Sequence, residues 1–175
     1  MKRQLQFNQA YIAFGANVPS CIGSPDETIM AAMQSLDCVD IQFIRSSSLW
    51  TSPAWPDPSE PEFTNAVALF MSHLSPLRFI NKLLKCEVDF GRMRRLKNAP
   101  RTIDVDLISY GQEISSTTRV QLPHPRAHER AFVLLPLQEI APKWHLPGTG
   151  LAVSELLAEL NPNDRQQTKV AKAVK

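Results

Sequence analysis

The sequence predicts an α+β fold, because strand-like and helix-like segments follow one another in the order strand, helix, strand, strand, helix, strand. The strand-like segments are dense in aliphatic and aromatic residues and cover residues 10–14, 39–49, 63–71 and 103–108. Two segments with apolar residues at helical spacing lie between them. This is the βαββαβ order of a ferredoxin-like α+β sandwich, here followed by a C-terminal extension.

The two helices of this frame begin with recognisable start signals. Ser24 precedes Pro25, and Glu27 stands at the third helical position, which is typical of a capping box. Ser75 before Pro76 has the same form. Helical spacing predicts that the buried stripe of the second helix consists of Leu77, Ile80, Leu84 and Val88.

Weaker signals follow the last strand of the frame. Residues 120–122 predict a short edge strand, and residues 151–160 predict a short helix. His124 and Pro125 are typical of a helix start, so a third helix is expected up to about residue 135. We expect a single domain over residues 1–160 and a polar, frayed tail over residues 161–175.

The composition argues against several classes of protein. The chain has 175 residues, and its 43% hydrophobic content is enough for a core. A net charge of +2 argues against general nucleic-acid binding. No apolar run approaches membrane-spanning length, and the first residues lack the apolar stretch of a signal peptide. We expect a cytoplasmic monomer with no membrane or nucleic-acid partner.

The three cysteines are predicted to be free thiols. Cys21, Cys38 and Cys86 form no CxxC pair, and an odd number cannot all be paired within one chain. Cys86 falls in a helical pattern and Cys38 just after one, so we expect these two to be buried. Free thiols favour a reducing compartment.

The segment of residues 99–108 carries the strongest chemical signal of the chain. Asp104 and Asp106 alternate with aliphatic residues, so in a strand their carboxylates point to the same face. Two adjacent carboxylates repel each other unless a positive group lies over them. Mg²⁺ takes oxygen ligands and keeps waters and phosphate oxygens as well. This pattern predicts a metal–phosphate site, although an isolated pair of this kind is more often two exposed carboxylates.

A basic segment precedes the two aspartates and favours a metal–phosphate site over two exposed carboxylates. Its cations are Arg92, Arg94, Arg95, Lys97 and Arg101. Alone, such a run is more often a solvated surface. Beside two carboxylates, its guanidinium groups are suited to phosphoryl oxygens. The segment has neither the interleaved aromatics of a nucleic-acid site nor a Gly-rich P-loop pattern.

Two further groups of residues are candidates for ligand binding. A predicted helix start is surrounded by two histidines and two arginines: His124, His128, Arg126 and Arg130. This grouping favours an anion site. It does not favour a zinc site, because no third nitrogen or sulfur ligand lies nearby. Asn65 shares a strand face with Phe63, and a buried amide needs hydrogen-bond partners. A flat, amide-like heterocycle between Phe63 and Phe132 would supply them, although phenylalanines are more often core residues.

These segments resemble one family of folate-pathway enzymes, the 6-hydroxymethyl-7,8-dihydropterin pyrophosphokinases. The resemblance runs from Tyr11 to about Pro147 and rests on residues 11–17, 63–67, 87–92, 99–108 and 123–132, in that order. Asn98 and Leu84 depart from the family pattern, in which a tryptophan and a polar residue are common at these positions. The resemblance implies transfer of pyrophosphate from ATP to the hydroxymethyl group of the pterin, with release of AMP.

The resemblance also implies a role for each matching residue. Asp104 and Asp106 would hold two Mg²⁺ ions. Arg92, Arg94 and Arg101 would line the phosphate path as ATP-binding residues, and Arg92 and Arg94 would take part in catalysis. Glu87, His124 and Arg130 would also bind ATP. The pterin would contact Asn65 and the backbone of Thr51 and Ser52, and lie between the rings of Phe63 and Phe132.

Two other classes of function compete with this hypothesis. A non-catalytic ferredoxin-like RNA-binding module would need exposed aromatics on central strands, and the aromatic–basic strand pattern of such modules is absent. A different Mg²⁺-dependent nucleotidyl or phosphoryl transferase would keep Asp104, Asp106 and the arginines without needing Asn65.

Overall fold

The computed structural model describes residues 6–92 and 100–172, and the predicted α+β class is confirmed. In these ranges six strands form one antiparallel sheet in the order β5-β1-β4-β3-β8, with β2 also paired to β4. A two-stranded β6-β7 hairpin lies outside this sheet. The strands are β1 (Asn8–Ala16), β2 (Ile41–Ser46), β3 (Leu49–Ser52), β4 (Phe63–Ser72), β5 (Asp104–Tyr110), β6 (Ser115–Ser116), β7 (Gln121–Leu122) and β8 (Lys169–Lys172). The helices are α1 (Pro25–Leu36), α2 (Pro76–Asp89), α3 (Ala131–Ile140), α4 (Val153–Glu159) and α5 (Pro162–Gln167).

Helices cover both faces of the sheet. Alternate strand residues such as Phe14 and Val105 pack with α1 and α2, whereas Val67 and Ile108 pack with α3 and α4. The C-terminal extension therefore closes the second face and makes a third layer. Among the described residues, no helix is long and apolar enough to cross a membrane.

The helix starts differ in their capping. At α1, Glu27 N–H donates to Ser24 Oγ at 3.4 Å and Ser24 N–H donates to Glu27 Oε2 at 2.8 Å, which is the predicted capping box. Ser75 precedes α2, but its side chain makes no capping hydrogen bond. Pro76 and local propensity are therefore sufficient to start α2 at the predicted position.

The single strand predicted over residues 39–49 is wrong, because the chain breaks there into β2 and β3. At the break, the buried Ser47 turns to β4: its N–H donates to Val67 O at 2.8 Å, and its Oγ accepts from Val67 N–H at 3.0 Å. Strand β1 is also longer than predicted and continues through Gly15.

The predicted buried stripe of α2 is wrong as well. The side buried against the sheet carries Phe79, Leu83 and Cys86 together with Glu87. Leu84 is 40% exposed and Val88 is 69% exposed. The helix has apolar residues on two sides at the same spacing, so periodicity alone cannot select the side that meets the sheet.

The C-terminal predictions need two corrections. The expected helix from His124 to about residue 135 is replaced by a 3₁₀ turn at Ala127–Glu129 and by α3, which starts at Ala131. The tail does not fray up to residue 172: it forms α5 and then β8, which adds to the sheet beside β3. Both corrections arise from packing partners far away in sequence.

One of the two cysteines expected to be buried is exposed. Cys86 is buried in α2, but Cys38 is exposed in the turn before β2, as is Cys21 in the loop after β1. All three are free thiols, as predicted.

Candidate active site

A row of four residues crosses one face of the sheet. Asp104 of β5 lies opposite Gly15 of β1, Gly15 opposite Asn65 of β4, and Asn65 opposite Trp50 of β3. Directly opposed residues of antiparallel strands share a face. Val67, two residues beyond Asn65, packs on the α3 side, so the whole row faces that side. The register therefore brings the carboxylate segment and the Asn65 segment, which are far apart in sequence, onto one surface.

Gly15 leaves a gap in the middle of this row. A Cβ atom at this position would lie 3.5 Å from Asn65 Oδ1 and 3.8 Å from Phe63 Cδ1. A glycine therefore keeps the space between Asp104 and Asn65 open for a bound molecule.

Two arginines balance the charge of Asp104. Arg92, just after α2, contacts Asp104 Oδ1 through its Nη1, and Arg101 Nη1 lies 2.8 Å from Asp104 Oδ2. All three side chains are partly buried, which strengthens their attraction. This arrangement places two predicted phosphate-binding cations directly over the predicted metal ligand.

Glu87 links α2 to β5. Its side chain is buried; Oε1 accepts the Val105 N–H at 2.9 Å and contacts Arg92 Nη1. The resemblance implies that Glu87 helps to bind the nucleotide, and Glu87 lies in the polar rim of the pocket described below. Its hydrogen bonds in addition hold Arg92 beside Asp104.

Asp106 has a different environment from Asp104. Its closest ion-pair partner among the described residues is His124, whose Nε2 lies 3.9 Å from Oδ2. Burial raises the pKa of Asp106, and the neighbouring Asp104 carboxylate raises it further. An incoming cation would relieve both effects.

Backbone contacts fix the orientation of His124. Its N–H donates to Ile108 O at 2.8 Å, and its Nδ1 accepts the Arg126 N–H at 3.2 Å. In the neutral ring the proton is therefore assigned to Nε2, which faces Asp106. Burial lowers the pKa of His124, against the opposing effect of the Asp106 carboxylate.

A pocket of about 310 Å³ opens between α2 and β5. One wall is apolar, and the rim is polar and charged. The apolar wall consists of Ile80, Leu83, Leu84, Val105 and Leu107, and the rim of Glu87, Arg92, Asp104, Asp106, Gln121 and His124. A flat base against the apolar wall would direct its phosphates toward the rim. Sequence reasoning missed this wall; the signal was the second apolar side of α2.

Of the residues predicted to bind a heterocycle, Asn65, Phe63 and Ser52 lie on the α3 side of the sheet. Asn65 is 3% exposed, and its Nδ2 donates to Ser52 Oγ at 3.0 Å and to Phe63 O at 3.3 Å. Ser52 of β3 is opposite Phe63, whereas Thr51 is opposite Thr64, whose hydroxyl donates to Asp26 of α1. The Thr51 side chain therefore lies on the other face, and only its backbone borders the α3 side.

Each of the two phenylalanines is paired with an arginine. The Arg101 guanidinium lies 5.7 Å from the Phe63 ring centre, and that of Arg130 lies 5.5 Å from the Phe132 ring centre. Arg130 and Phe132 stand at the start of α3. These contacts bring an aromatic face close to Arg101 and Arg130, two cations of the predicted phosphate site.

The predicted anion cluster at His124 is only partly assembled. His128 and Arg126 face Glu129, at 3.8 Å and 3.4 Å, and are partly exposed. His124 faces Asp106 instead, and the charge of Arg130 acts on the same carboxylate. Arg94, Arg95, Lys97 and Asn98 lie outside the described residues.

Asn17 is a site residue that sequence reasoning did not single out. It is buried, its Oδ1 accepts the Arg101 N–H at 2.8 Å, and its own N–H donates to Arg101 O at 3.2 Å. Its Nδ2 donates to Pro61 O at 3.2 Å. Asn17 thus joins the end of β1, the Arg101 segment and the loop before Phe63.

The fold is of the α+β class, and the site brings acidic, basic and aromatic groups together at one end of the sheet. Residues 11–142 match the family model described as 7,8-dihydro-6-hydroxymethylpterin-pyrophosphokinase (HPPK). The chain belongs to this family, and the predicted membership is confirmed.

Individual relatives agree with this assignment. The chain is 34% identical over 151 residues to the 2-amino-4-hydroxy-6-hydroxymethyldihydropteridine pyrophosphokinase of Pseudomonas aeruginosa, covering 86% of this chain and 90% of the relative. The protein of the same name from Haemophilus influenzae is also 34% identical over 151 residues, which cover 86% of this chain and 91% of that protein.

A solved structure with low sequence identity shares the fold. The wild-type HPPK-DHPS of Plasmodium falciparum matches with a TM-score of 0.69 at 11% identity, over 90% of this chain. The match spans 42% of that longer chain.

Proposed function

We propose that the protein transfers pyrophosphate from ATP to the hydroxymethyl group of 6-hydroxymethyl-7,8-dihydropterin, with release of AMP, as a step of folate biosynthesis. The observation that carries this proposal is the cross-strand row of Asp104, Gly15 and Asn65. It puts a carboxylate with two arginines and a buried amide on either side of an open gap. Family membership favours the pterin as the molecule that fills the gap.

We propose that Asp104 and Asp106 hold two Mg²⁺ ions. The described residues contain no group of three or more His, Cys, Asp or Glu side chains suited to a metal. Two carboxylates alone suit Mg²⁺, which completes its shell with water and phosphate oxygens. The raised pKa of Asp106, and the fact that no arginine of the described residues lies within 4 Å of its carboxylate, support a cation there. When bound, Mg²⁺ neutralises phosphoryl oxygens and makes the acceptor hydroxyl easier to deprotonate.

The cationic side chains bind and orient the triphosphate. Arg92 and Arg101 each present a guanidinium group beside Asp104, so phosphate oxygens compete with the carboxylate for these donors. His124 and Arg130 hold further phosphate oxygens, and Glu87 keeps Arg92 in place. These fixed cations stabilise the charge that develops as the bond to AMP breaks. The same role is proposed for Arg94.

The pterin lies in the gap above Gly15. The Asn65 amide and the backbone of Thr51 and Ser52 bind its polar edge. The rings of Phe63 and Phe132 enclose its faces. The hydroxymethyl group then points along the row toward Asp104.

We also propose the finer description of the molecule. The frame is ferredoxin-like, since β5, β1, β4 and β3 lie side by side in an order typical of βαββαβ domains. Residues 1–160 form one domain that acts as a cytoplasmic monomer, and residues 161–172 extend it by α5 and β8.

Product analysis tests the proposal directly. The protein is mixed with ATP, Mg²⁺ and 6-hydroxymethyl-7,8-dihydropterin, and nucleotides and pterins are separated by chromatography. We expect equal amounts of AMP and pterin diphosphate, and none with the Asp106→Asn variant. A folded protein that binds Mg²⁺–ATP but yields no AMP would instead favour a transferase with another acceptor.

A further inference from the structure

Glu139, in the last turn of α3, binds the start of β3 with both of its oxygens. Oε1 accepts the Ser48 N–H at 2.9 Å and the Ser48 hydroxyl at 2.7 Å, and Oε2 accepts the Trp50 Nε1–H at 2.8 Å. Three donors from one short segment therefore converge on one carboxylate. Hydrogen bonds to a charged acceptor are stronger than those between neutral groups.

The segment that Glu139 binds is the break between β2 and β3. Ser47 is committed to β4 through its two hydrogen bonds with Val67, and the Ser48 N–H turns to Glu139 instead of to a strand. Strand β3 then pairs with β4 over three residues. On its other side it pairs with β8 over three residue pairs. Both ladders are short, so the bonds from Glu139 add a third attachment, which joins β3 to α3.

The held strand forms one wall of the proposed pterin pocket. Trp50 lies directly opposite Asn65, and Thr51 and Ser52 follow it. Ser52 Oγ accepts the hydrogen bond from Asn65 Nδ2 at 3.0 Å. A displacement of β3 would therefore move Thr51, Ser52 and the Asn65 amide together.

The opposite wall belongs to the same helix as Glu139. Phe132 stands in the first turn of α3 and Glu139 in the last turn. A helix of ten residues is about 15 Å long. Its two ends thus touch the two walls between which a flat ring would lie.

We propose that Glu139 is a positioning residue for the pterin: it holds β3 against α3, so that Thr51, Ser52 and Asn65 keep the spacing to Phe132 that the ring needs. This inference rests on the proposed function. Glu139 touches neither substrate, and it acts through Ser48 and Trp50. The nucleotide side of the site lies between α2 and β5 and does not depend on this clamp.

Arg45 provides a matched control at the same end of α3. Its Nε donates to Ile140 O at 3.0 Å and so joins α3 to β2, not to β3. Arg45→Met keeps most of the aliphatic stem and removes the donor. It weakens the attachment of α3 without releasing the pterin wall.

The experiment compares Glu139→Gln, Trp50→Phe and Arg45→Met with the wild type. Dissociation constants are measured for 6-hydroxymethyl-7,8-dihydropterin and, separately, for Mg²⁺–ATP, together with kcat and the pterin KM. For Glu139→Gln we expect roughly tenfold weaker pterin binding, the effect of about 1.4 kcal/mol. The Mg²⁺–ATP affinity and the kcat at saturating pterin stay within about twofold, a change of less than about 0.5 kcal/mol. Trp50→Phe removes a single donor to Glu139, and we expect it to weaken pterin binding as well. Arg45→Met should leave pterin affinity unchanged.

The indole N–H signals give a readout that does not depend on activity. The chain has three tryptophans, Trp50, Trp55 and Trp144, and Trp144 Nε1–H donates to Ser109 in the core. In ¹⁵N-labelled Glu139→Gln we expect the Trp50 signal to move and the Trp144 signal to stay.

Several results would overturn the inference. Equal losses of pterin and Mg²⁺–ATP affinity, or the same pterin loss in Arg45→Met, would show that Glu139 contributes only to the general stability of the fold. Unchanged pterin affinity in both Glu139→Gln and Trp50→Phe would refute the clamp while leaving the proposed function intact. A wild-type protein that binds Mg²⁺–ATP but not the pterin would overturn the proposed function and this inference together.

Discussion

Asp104 and Asp106 lie two residues apart on β5, yet their surroundings give them opposite effects on stability. Asp104 contacts Arg92 and Arg101, whereas the one basic group within 4 Å of the Asp106 carboxylate among the described residues is His124. The pKa of Asp106 is raised in the folded protein, so its ionisation costs stability above that pKa. The cost disappears as the pH falls below the pKa of the unfolded chain.

The two asparagine variants separate these effects. We expect Asp104→Asn and Asp106→Asn each to lower kcat by at least about 1,000-fold, because transition-state charge loses its support. In metal-free protein, Asp104→Asn should lower the free energy of unfolding by about 1–3 kcal/mol, since two arginines lose a charged partner. Asp106→Asn should raise it by less than about 1 kcal/mol at neutral pH, because the Asp106 side chain is 40% exposed and solvent screens its charge. Steady-state kinetics and urea unfolding check both; normal turnover in either variant would refute the metal site.

Asn65 is predicted to discriminate between the two substrates. Asn65→Ala should weaken pterin binding by about 1–3 kcal/mol, since the polar edge of the bound pterin loses its hydrogen bonds with the amide. Mg²⁺–ATP binding should change little, because the phosphate site lies across Gly15 on β5. Calorimetric titration with each ligand measures this, and equal losses for both ligands would contradict the role of Asn65.

The three thiols should differ in reactivity at pH 8. Burial raises the pKa of Cys86, so this thiol stays protonated and inaccessible, whereas Cys21 and Cys38 are exposed. We expect two thiols to react rapidly with a disulfide reagent in the native protein and the third only after unfolding. Cys86→Ala provides the control, and rapid reaction of three thiols would contradict the burial of α2 against α1.

At the scale of elements, β8 is the strand that the sequence did not predict, because residues 161–175 are polar in composition. It pairs with β3 through three residue pairs. Truncation after Thr168 should therefore lower the free energy of unfolding by about 1–2 kcal/mol, given a few tenths to 1 kcal/mol for each cross-strand pair. Amide exchange should accelerate at the β3 residues whose N–H faces β8, whereas truncation after Lys172 should leave it unchanged. Equal exchange in both truncations would show that β8 does not protect β3.

The helices show which element-level predictions depend on local signals. The start of α1 was predicted correctly because Ser24, Pro25 and Glu27 interact within one turn. The buried side of α2 was not, because Phe79 and Leu83 meet the sheet while Ile80 and Leu84 line a pocket. Exposed apolar residues at helical spacing look the same in a sequence whether they face a core or a ligand.

At the scale of the whole molecule, the nucleotide site draws on segments that are distant in sequence. Its walls come from α2, β5 and the residues around His124. Mg²⁺–ATP at 100 times its dissociation constant should therefore stabilise the fold by about 2.7 kcal/mol. Thermal unfolding with and without EDTA measures the metal-dependent part, and the Asp106→Asn variant is the control. The same shift in ATP with EDTA would contradict metal binding at β5.

The sequence by itself determined the α+β class, the order of the main elements, the acidic pair and its arginines, and the family. These features depend on spacing along a single strand or helix, where neighbours in sequence are neighbours in space. Only the tertiary structure decided that Asp104, Gly15, Asn65 and Trp50 form one row, because strand register joins residues that are dozens of positions apart. The bonds of Asn17 to Arg101, the hold of Glu139 on β3 and the addition of β8 are decided at the same level. Each is a hydrogen-bond partnership between distant segments, and no local pattern specifies such a partner.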